Sequence, residues 1–155
     1  MSTTAAPTDH RSSARERLLD AANELFYAEG VQTVGIDRII ERAGVAKASL
    51  YNLFGSKEAL VAAYLASRHD RTTIRLTTAI ERVHDPRQKI LAVFEAQTQQ
   101  YEQPDFNGCA FIAASTEAPS GGLVEQAADQ FRTWIRAMFT DLADQAGAPD
   151  AVSLG

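Results

Sequence analysis

The 155-residue sequence predicts an all-α fold. In every long segment the apolar residues recur three and four positions apart, which is the spacing of one helical face, and no segment alternates as a half-buried strand does. Gly30, Gly44 and Pro86 stand where these periodic segments stop, as residues that end or separate helices do. Hydrophobic residues make up 45% of the chain and charged residues 23%, which is typical of a soluble globular protein and excludes extensive disorder.

The first helix is predicted from Ser13 to about Glu29. Ser13 and Glu16 have the spacing of a capping box, in which each side chain satisfies a free backbone amide of the other residue. Gly30 is expected to end the helix. The apolar face consists of Leu18, Leu19, Ala22, Leu25 and Phe26. Residues 1–12 have no such periodicity and predict a flexible tail.

Two short helices follow, separated only by the turn Gly44-Val45. The first has its apolar positions at Ile36, Ile39, Ile40 and Ala43, and the second runs from about Lys47 to Leu53. Two short helices joined by a tight glycine turn are the helix-turn-helix unit, whose second helix enters the DNA major groove. A helical hairpin within an ordinary bundle has the same local pattern, so the spacing alone leaves both interpretations open.

Four further helices are predicted after this unit. Ser56 is a good N-cap for a long helix of about 28 residues that continues through Ile74 and Ile80 and ends at Asp85-Pro86. A helix after Pro86 has its apolar positions at Ile90, Leu91, Val93, Phe94, Thr98 and Tyr101. A loop over residues 103–108, a short helix from Cys109 to Glu117 and a loop over 119–122 come next, and a long helix from about Val124 ends near Gly147.

The chain has a net charge of −5, and its charges are distributed unevenly along the sequence. Residues 1–69 contain eight basic and eight acidic residues, whereas residues 70–155 contain seven and twelve. An acidic chain is unusual for a DNA-binding protein, but here the excess acidity lies entirely in the second half. The charge distribution is therefore compatible with an N-terminal DNA-binding unit.

The positions of the cysteine and the histidines, and the lengths of the apolar segments, disfavour a disulfide-bonded, metal-binding, membrane-spanning or secreted protein. Cys109 is the only cysteine, and with His10, His69 and His84 scattered it forms neither a disulfide nor a metal-ligand pattern, so we predict a buried structural thiol rather than a redox sensor. No segment approaches the roughly 20 apolar residues of a membrane span, and the N-terminus does not resemble a secretory signal. The expected location is the cytoplasm, without metal or cofactor.

The second short helix, Lys47-Ala-Ser-Leu-Tyr-Asn-Leu53, has the composition of a DNA-reading helix. Lys47 can donate to guanine or to phosphate, Ser49 can donate or accept, and Asn52 can read a base or a phosphate. Tyr51 supplies a hydroxyl group, although it could instead be a partly buried core residue. Lys57 follows at the start of the next helix, where free backbone amides favour anions, although it could instead be a solvated surface charge.

The wider segment resembles the DNA-binding domain of the TetR/AcrR family over about residues 13–65. The resemblance is carried by Ala21-Ala-Asn-Glu-Leu-Phe26, Gly30, Ile39-Ile-Glu-Arg-Ala-Gly-Val45, Leu50-Tyr-Asn-Leu-Phe54 and Ser56-Lys-Glu-Ala-Leu60. It implies a dimeric regulator, most often a repressor, that holds a palindromic operator through two recognition helices until a small-molecule effector binds.

The resemblance also implies roles for individual residues. Tyr51 and Lys57 match positions that commonly hold phosphates, Lys47 and Ser49 match positions that often face bases, and Thr33 with Gly35 matches the start of the helix that meets the DNA backbone. The sequence departs from the family at Gly35 and Ala46, where a hydroxyl residue is commoner and would cap the helix. Arg38 and Arg42 are interpreted as solvated surface charges beside Asp37 and Glu41.

The predicted organisation is a tail over residues 1–12, a helix-turn-helix domain over 13–55, a linking helix and helical effector-binding domain over 56–148, and a truncated tail over 149–155. Residues 107–117 resemble a segment that forms part of the effector-pocket wall in one subgroup of the family. A largely apolar effector could be enclosed by aromatic residues with a few polar groups, although ordinary core packing would use the same residues. The candidate pocket residues are Phe94, Tyr101, Cys109, Phe111, Glu117 and Trp134.

The sequence leaves one main alternative to a DNA-binding regulator and disfavours another. Family members continue beyond a position like Asp150 with two further helices that form the dimer interface, so a homodimer is expected of a full-length member and is in doubt for this chain. A truncated module that binds a ligand or a partner without regulating DNA is the main alternative. A small helical enzyme is disfavoured, because the sequence has no nucleophile paired with a base, no paired carboxylates and no phosphate-binding loop.

Overall fold

A computed structural model describes residues 12–148, which form seven helices and, within that range, no strand. The helices are α1 (Ala14–Glu29), α2 (Ile36–Ala43), α3 (Lys47–Phe54), α4 (Lys57–Glu81), α5 (Pro86–Tyr101), α6 (Ala110–Glu117) and α7 (Leu123–Gln145). The predicted all-α fold with an N-terminal helix-turn-helix is confirmed. The predicted tails over 1–12 and 149–155 lie outside the described residues, except for Ser12.

The local signals at the start of the chain act as predicted. The Ser13 hydroxyl accepts from the Glu16 amide at 3.2 Å, and the Glu16 carboxylate accepts from the Ser13 amide at 2.7 Å. These reciprocal bonds satisfy two of the amides that have no partner inside the helix. Gly44 takes the left-handed conformation, with φ 64°, that lets the chain leave α2 and enter α3 within two residues.

The boundary between α4 and α5 differs from the prediction. α4 ends at Glu81 after 25 residues, which corresponds to about 38 Å. Asp85 does not end α4 but begins α5: its side chain accepts from the amides of Arg87 and Gln88 at 2.9 and 3.0 Å. Proline at the first position of a helix needs no amide hydrogen bond, so Asp85-Pro86 is a start signal rather than a stop signal.

Two apolar clusters form the core, and α4 contributes to both. The first half of α4, through Leu60, Val61, Tyr64 and Leu65, packs with α1, α2, α3, α6 and the start of α7. Its second half, through Leu76, packs with Val93 and Ala96 of α5 and with Leu142 of α7. The helix-turn-helix is therefore joined by continuous packing to α6 and α7, and the division at residues 55 and 56 stays a proposal.

Several residues predicted to be apolar contacts face outward. Ile74 of α4 is exposed, and Leu76, which lies on the stripe of Val61 and Leu65, is buried in its place. On α5 the buried residues are Val93 and Ala96, whereas Leu91, Phe94 and Tyr101 are each more than half exposed. α5 has apolar residues on two faces, and the smaller ones lie against α4 and α7.

Cys109 is also placed differently from the prediction. It is exposed and stands at the N-cap of α6, without a side-chain capping bond. The buried residues of this segment are its neighbours Ala110 and Phe111. The expectation of a buried structural thiol is therefore wrong, because Cys109 precedes the helix and the buried face of this segment begins at Ala110.

Candidate nucleic-acid interface

The α2–turn–α3 unit is fixed against α1 by burial and by one long-range hydrogen bond. Ile39 of α2 and Leu50 of α3 are fully buried in the first core cluster. The Arg17 side chain donates from Nε to the carbonyl of Ala43, at the end of α2, over 3.2 Å. This bond satisfies a carbonyl that has no partner inside its helix and holds α1 to the turn of the unit.

The outward face of α3 is polar and accessible. Lys47, Ala48 and Asn52 are exposed, and Tyr51 is 45% exposed, so its ring is not a core residue. Ser49 is half-buried and Leu50 fully buried, as expected on a helix whose opposite side faces the core. The structure thus brings Lys47, Tyr51 and Asn52 to one accessible surface, with Ser49 at its edge.

The first turns of α2 and α3 have no side-chain caps. Gly35 and Ala46 occupy the two N-cap positions, and neither makes a side-chain hydrogen bond to the helix that follows. The amides of these turns are left for water or for an anion, and the positive end of the helix dipole favours the anion. Thr33 is exposed in the turn that precedes α2.

Lys57 is the first residue of α4 and stands three residues after the end of α3. Ser56 caps this helix, and its hydroxyl accepts from the Ala59 amide at 3.0 Å. Lys57 is half-buried, and it forms no ion pair with any residue between 12 and 148. A lysine beside the N-terminal amides of its helix adds a charge to a site that already favours anions.

Three ion pairs lie on the surface of the unit. Arg38 pairs with Glu29 at 2.5 Å, and Arg42 pairs with Glu24 at 2.7 Å. The prediction that these arginines are solvated surface charges fits this placement, although their partners are carboxylates of α1 rather than Asp37 and Glu41.

Lys47 pairs with Asp37 of α2 across 3.1 Å, and both side chains are more than half exposed. The hydrogen bond from the lysine to this carboxylate raises the pKa of Lys47 above its ordinary value. Asp37 therefore competes with DNA for the ammonium group of Lys47, and it adds a negative charge to the same surface. Sequence analysis did not identify this competition, because the two residues are on different helices.

Arg15 is a basic residue of this region that the sequence did not single out. Its guanidinium lies 5.2 Å from the centre of the Phe54 ring, at the end of α3. The side chain is exposed, so the contact holds a cation beside the recognition helix without burying it. Its position in the first turn of α1 carried no signal, because the proximity of α1 and Phe54 arises only in the folded chain.

Residues 18–64 match the sequence profile of the family described as bacterial regulatory proteins, tetR family. The TetR-family transcriptional regulator SCO4454 of Streptomyces coelicolor is 36% identical, with a TM-score of 0.86 over 90% of this chain and 75% of that one. The regulator TtgW of Pseudomonas putida is 31% identical over 128 residues, which are 79% of this chain and 91% of that protein. The chain belongs to the TetR family.

Similarity to some relatives is confined to the N-terminal part. The transcriptional activator FasR of Mycolicibacterium smegmatis is 38% identical over 86 residues, and the chain spans 39% of the length of that protein. The relatives named here are all transcriptional regulators, and the TetR family consists of DNA-binding regulators. The shared segment contains the whole α2–turn–α3 unit.

The six predicted pocket residues of this TetR-family chain do not line one cavity. Phe111 of α6 stacks on Phe131 of α7, with ring centres 3.9 Å apart and nearly parallel planes. His69 of α4 packs against both Phe131 and Trp134, at 5.5 and 5.2 Å between ring centres. Phe111 and Trp134 are thus brought into one aromatic cluster, and His69 is a member that sequence analysis missed.

Phe94 and Tyr101 lie apart from that cluster. Phe94 is 58% exposed on α5 and contacts Phe139, and Tyr101 contacts Phe106 in the following loop. Cys109 is exposed at the start of α6. These three candidates are exposed on the described chain.

Glu117, the last residue of α6, contacts the turn between α1 and α2. Its carboxylate accepts from the Gln32 amide at 2.8 Å, and its carbonyl accepts from the Gln32 side chain at 2.9 Å. The carboxylate also lies against Gly30. It therefore joins α6 to the helix-turn-helix rather than facing the aromatic cluster, and its hydrogen bond to a backbone amide leaves it less free to pair with a cationic effector.

No helix of residues 12–148 is both long enough and apolar enough to cross a membrane. In the same part of the chain, no three histidine, cysteine or acidic side chains come together in a way that could hold a metal ion.

Proposed function

We propose that this chain is a ligand-responsive transcriptional regulator that binds double-stranded DNA through the outward face of α3. The observation that carries the proposal is the accessible polar face formed by Lys47, Tyr51 and Asn52 on a helix whose other side is buried. A helix presented in this way by a compact three-helix unit has the dimensions and exposure needed to enter the major groove.

The family resemblance, with which the chemistry of each side chain agrees, implies separate roles. Tyr51 and Lys57 hold phosphates, Lys47 and Ser49 face base edges, and Asn52 contacts a base or a phosphate. Thr33 lies before the uncapped first turn of α2, where a phosphate can accept from free backbone amides. Phosphate contacts set affinity for any sequence, whereas the base contacts of Lys47 and Ser49 set the preferred one.

We further propose that the regulator acts as a homodimer on a palindromic operator and represses transcription until an effector releases it. Two copies of α3 would then reach successive major-groove faces, roughly 34 to 36 Å apart. A protein that binds operator DNA in a bacterial cell would act in the cytoplasm. The relative FasR is named an activator, so the sign of regulation is to be read from a reporter gene rather than from similarity.

α4 is the element through which an effector would act. It begins three residues after the end of α3, and its two halves belong to the two apolar clusters. An effector can change DNA affinity only by binding one arrangement of these clusters more tightly than another. The aromatic cluster of His69, Phe111, Phe131 and Trp134 lies between α4, α6 and α7, where a ligand would alter their packing.

The experiment is selection of bound DNA from a random pool with the purified chain, followed by sequencing. We expect enrichment of a palindrome or of one of its half-sites. Recovery of no motif at low salt would contradict the proposal and would favour a module that binds a ligand or a partner without regulating DNA, since low salt strengthens phosphate contacts and favours detection. Light scattering on the same sample reports whether the DNA-binding species is a dimer.

A further inference from the structure

A cavity of about 600 Å³ lies between α1, α4 and the loop that precedes α6. This volume is within the range of small-molecule sites, which is roughly 300 to 1,000 Å³. None of the residues proposed for DNA binding, and none of the six predicted pocket residues, lines it. The cavity is therefore distinct from the DNA-binding face and from the aromatic cluster.

The loop wall of the cavity is held by Tyr27 of α1. The Asn107 side chain donates to the Tyr27 carbonyl at 2.8 Å, and the Asn107 amide donates to the Tyr27 hydroxyl at 2.8 Å. The same hydroxyl donates to the Gly108 carbonyl at 3.1 Å. Three hydrogen bonds thus fix the loop against α1, which gives the cavity a formed wall on that side.

Asn23 lines the cavity and has an unsatisfied acceptor. The residue is only 6% exposed, and its Nδ2 donates to the Leu19 carbonyl at 3.0 Å. Its Oδ1 is buried and has no hydrogen-bond partner among residues 12–148. Because buried polar groups are nearly always paired, this oxygen indicates a missing donor.

Arg68 of α4 supplies an unsatisfied donor to the same cavity. Its guanidinium carbon lies over Tyr27, 3.6 Å from the ring centre, and 5.6 Å from the ring centre of Tyr64. The ring contacts hold the guanidinium in place, but its buried Nε has no acceptor within the described chain. Because Arg68 lines the cavity, an acceptor oxygen that enters beside Tyr27 would meet its guanidinium group, and a carboxylate would bind it most strongly.

The charges around the cavity are balanced. Glu24 lines it but is paired with Arg42 at 2.7 Å. The remaining charged side chains are Asp20 and Asp105, which are acidic, and Arg68 and Arg71, which are basic. A simple anion or a simple cation meets two charges of each sign and gains no net attraction from this set. A ligand that carries both charges meets a partner for each.

We propose that this cavity is a binding site for a zwitterion of the α-amino acid class. The carboxylate of the ligand accepts from Arg68 and Arg71, and its ammonium group donates to Asn23 Oδ1 and is attracted by Asp20 and Asp105. The ligand connects α1 and α4 to the loop before α6. Binding at this site goes beyond the proposed DNA-binding function and does not depend on it.

The test is a thermal-shift screen of the purified chain, without DNA, against each standard free amino acid, followed by calorimetric titration of those that raise the melting temperature. At least one amino acid should bind. Its N-acetyl derivative, which lacks the ammonium group, and its amide derivative, which lacks the carboxylate, should each bind at least about tenfold more weakly. If no standard amino acid binds, or if both derivatives bind as well as the parent compound, the proposal is wrong.

Two variants locate the site. Asn23→Leu removes the unsatisfied oxygen while keeping the number of side-chain heavy atoms, so the chain should still fold, and binding of the amino acid should be lost. Arg71→Gln changes an exposed side chain and should weaken binding about tenfold, whereas the matched control Arg132→Gln, on α7 and outside the cavity, should leave it unchanged. Wild-type binding by Asn23→Leu and Arg71→Gln would overturn the assignment even if an amino acid binds elsewhere.

Discussion

The carboxylate of Glu58 accepts a hydrogen bond from the backbone amide of Leu123 over 2.7 Å, although the two residues are 65 positions apart. Gly122, at the N-cap of α7, has no side chain to satisfy the free amides of that helix. Glu58 does so from the first turn of α4, directly after Lys57. The start of α7 is therefore held by the same turn of α4 that we propose to contact DNA.

This cap predicts a thermodynamic coupling between Glu58 and Gly122. A Cβ atom at Gly122 would collide with the Glu58 carboxylate, which would have to leave the Leu123 amide. We expect Glu58→Ala to lower the free energy of unfolding by about 1 kcal/mol. Gly122→Ala should be similarly costly in the wild type but much less so in the Glu58→Ala background, as measured by denaturant unfolding of the four proteins in the cycle.

Gly35→Ala is the matched control for this cycle. Gly35 is also an N-cap glycine with a negative φ, but no atom lies within 4 Å of a Cβ placed there. Gly35→Ala should lower the free energy of unfolding by the same amount in the presence and in the absence of Glu58. Equal costs of Gly122→Ala in the two backgrounds would show that Glu58 does not cap α7.

The Lys47–Asp37 pair predicts that removing an acidic residue strengthens DNA binding. Asp37→Asn releases Lys47 for DNA and removes a negative charge from the proposed interface. Exposed ion pairs contribute little net free energy, so the dissociation constant for the selected operator should fall by no more than about fivefold. Fluorescence anisotropy at fixed salt measures the change. Asp144 is an exposed residue near the end of α7, so Asp144→Asn makes the same change in net charge and should have little effect on DNA affinity. Equal effects of the two variants would mean that net charge alone is responsible.

Tyr64 predicts a loss of stability at high pH. Burial raises the pKa of Tyr64 from its ordinary value near 10 to about 12, because the phenolate would be poorly solvated in the core. Since the folded state favours the neutral form, this contribution is complete below pH 10 and is lost as the pH rises towards 12. It amounts to roughly 2 to 3 kcal/mol.

The difference in unfolding free energy between the wild type and Tyr64→Phe isolates this contribution. The phenylalanine variant has no hydroxyl group to ionise at this position, so its stability should fall less steeply between pH 10 and 12. The other tyrosines titrate equally in both proteins. Parallel pH profiles would mean that Tyr64 is not buried as described.

Local signals could be predicted from the sequence because they depend on neighbouring residues. Ser13 with Glu16, Gly44 between two short helices, and Ser56 at the start of α4 each act within one turn. The exposure of Lys47, Tyr51 and Asn52 on α3 follows from the spacing of one short helix, whereas their contacts with DNA stay a prediction. The burial of Leu50 follows from that spacing as well.

The choice between two apolar faces could not be predicted. Leu91 and Phe94 have the hydrophobicity of core residues, yet α5 buries Val93 and Ala96 in the second core cluster. The exposure of Cys109 could not be predicted either, since the path of the loop before α6 determines it. Helical periodicity identifies faces but does not say which partner each face meets.

Contacts between distant segments also could not be predicted from the sequence. Glu58 at the start of α7, Glu117 at the α1–α2 turn and Asn107 against Tyr27 all join residues more than 60 positions apart. The local pattern around each of these polar residues does not show which distant segment it contacts. Together they connect the helix-turn-helix to the later helices, which is the connection that an effector-dependent regulator requires.

The most direct test of the central claim is the affinity of the wild type and of the double variant Tyr51→Phe, Lys57→Ala for the selected operator and for a scrambled sequence, measured over a range of salt concentrations. The variant should bind both sequences at least about tenfold more weakly and still prefer the same one. The slope of log affinity against log salt concentration should decrease in magnitude by about 0.9 for each Lys57 that contacts a phosphate. Lys89→Ala, a half-buried lysine of α5, is the control and should behave as the wild type. Unchanged affinity and salt dependence in the double variant would contradict the assignment of this face to DNA.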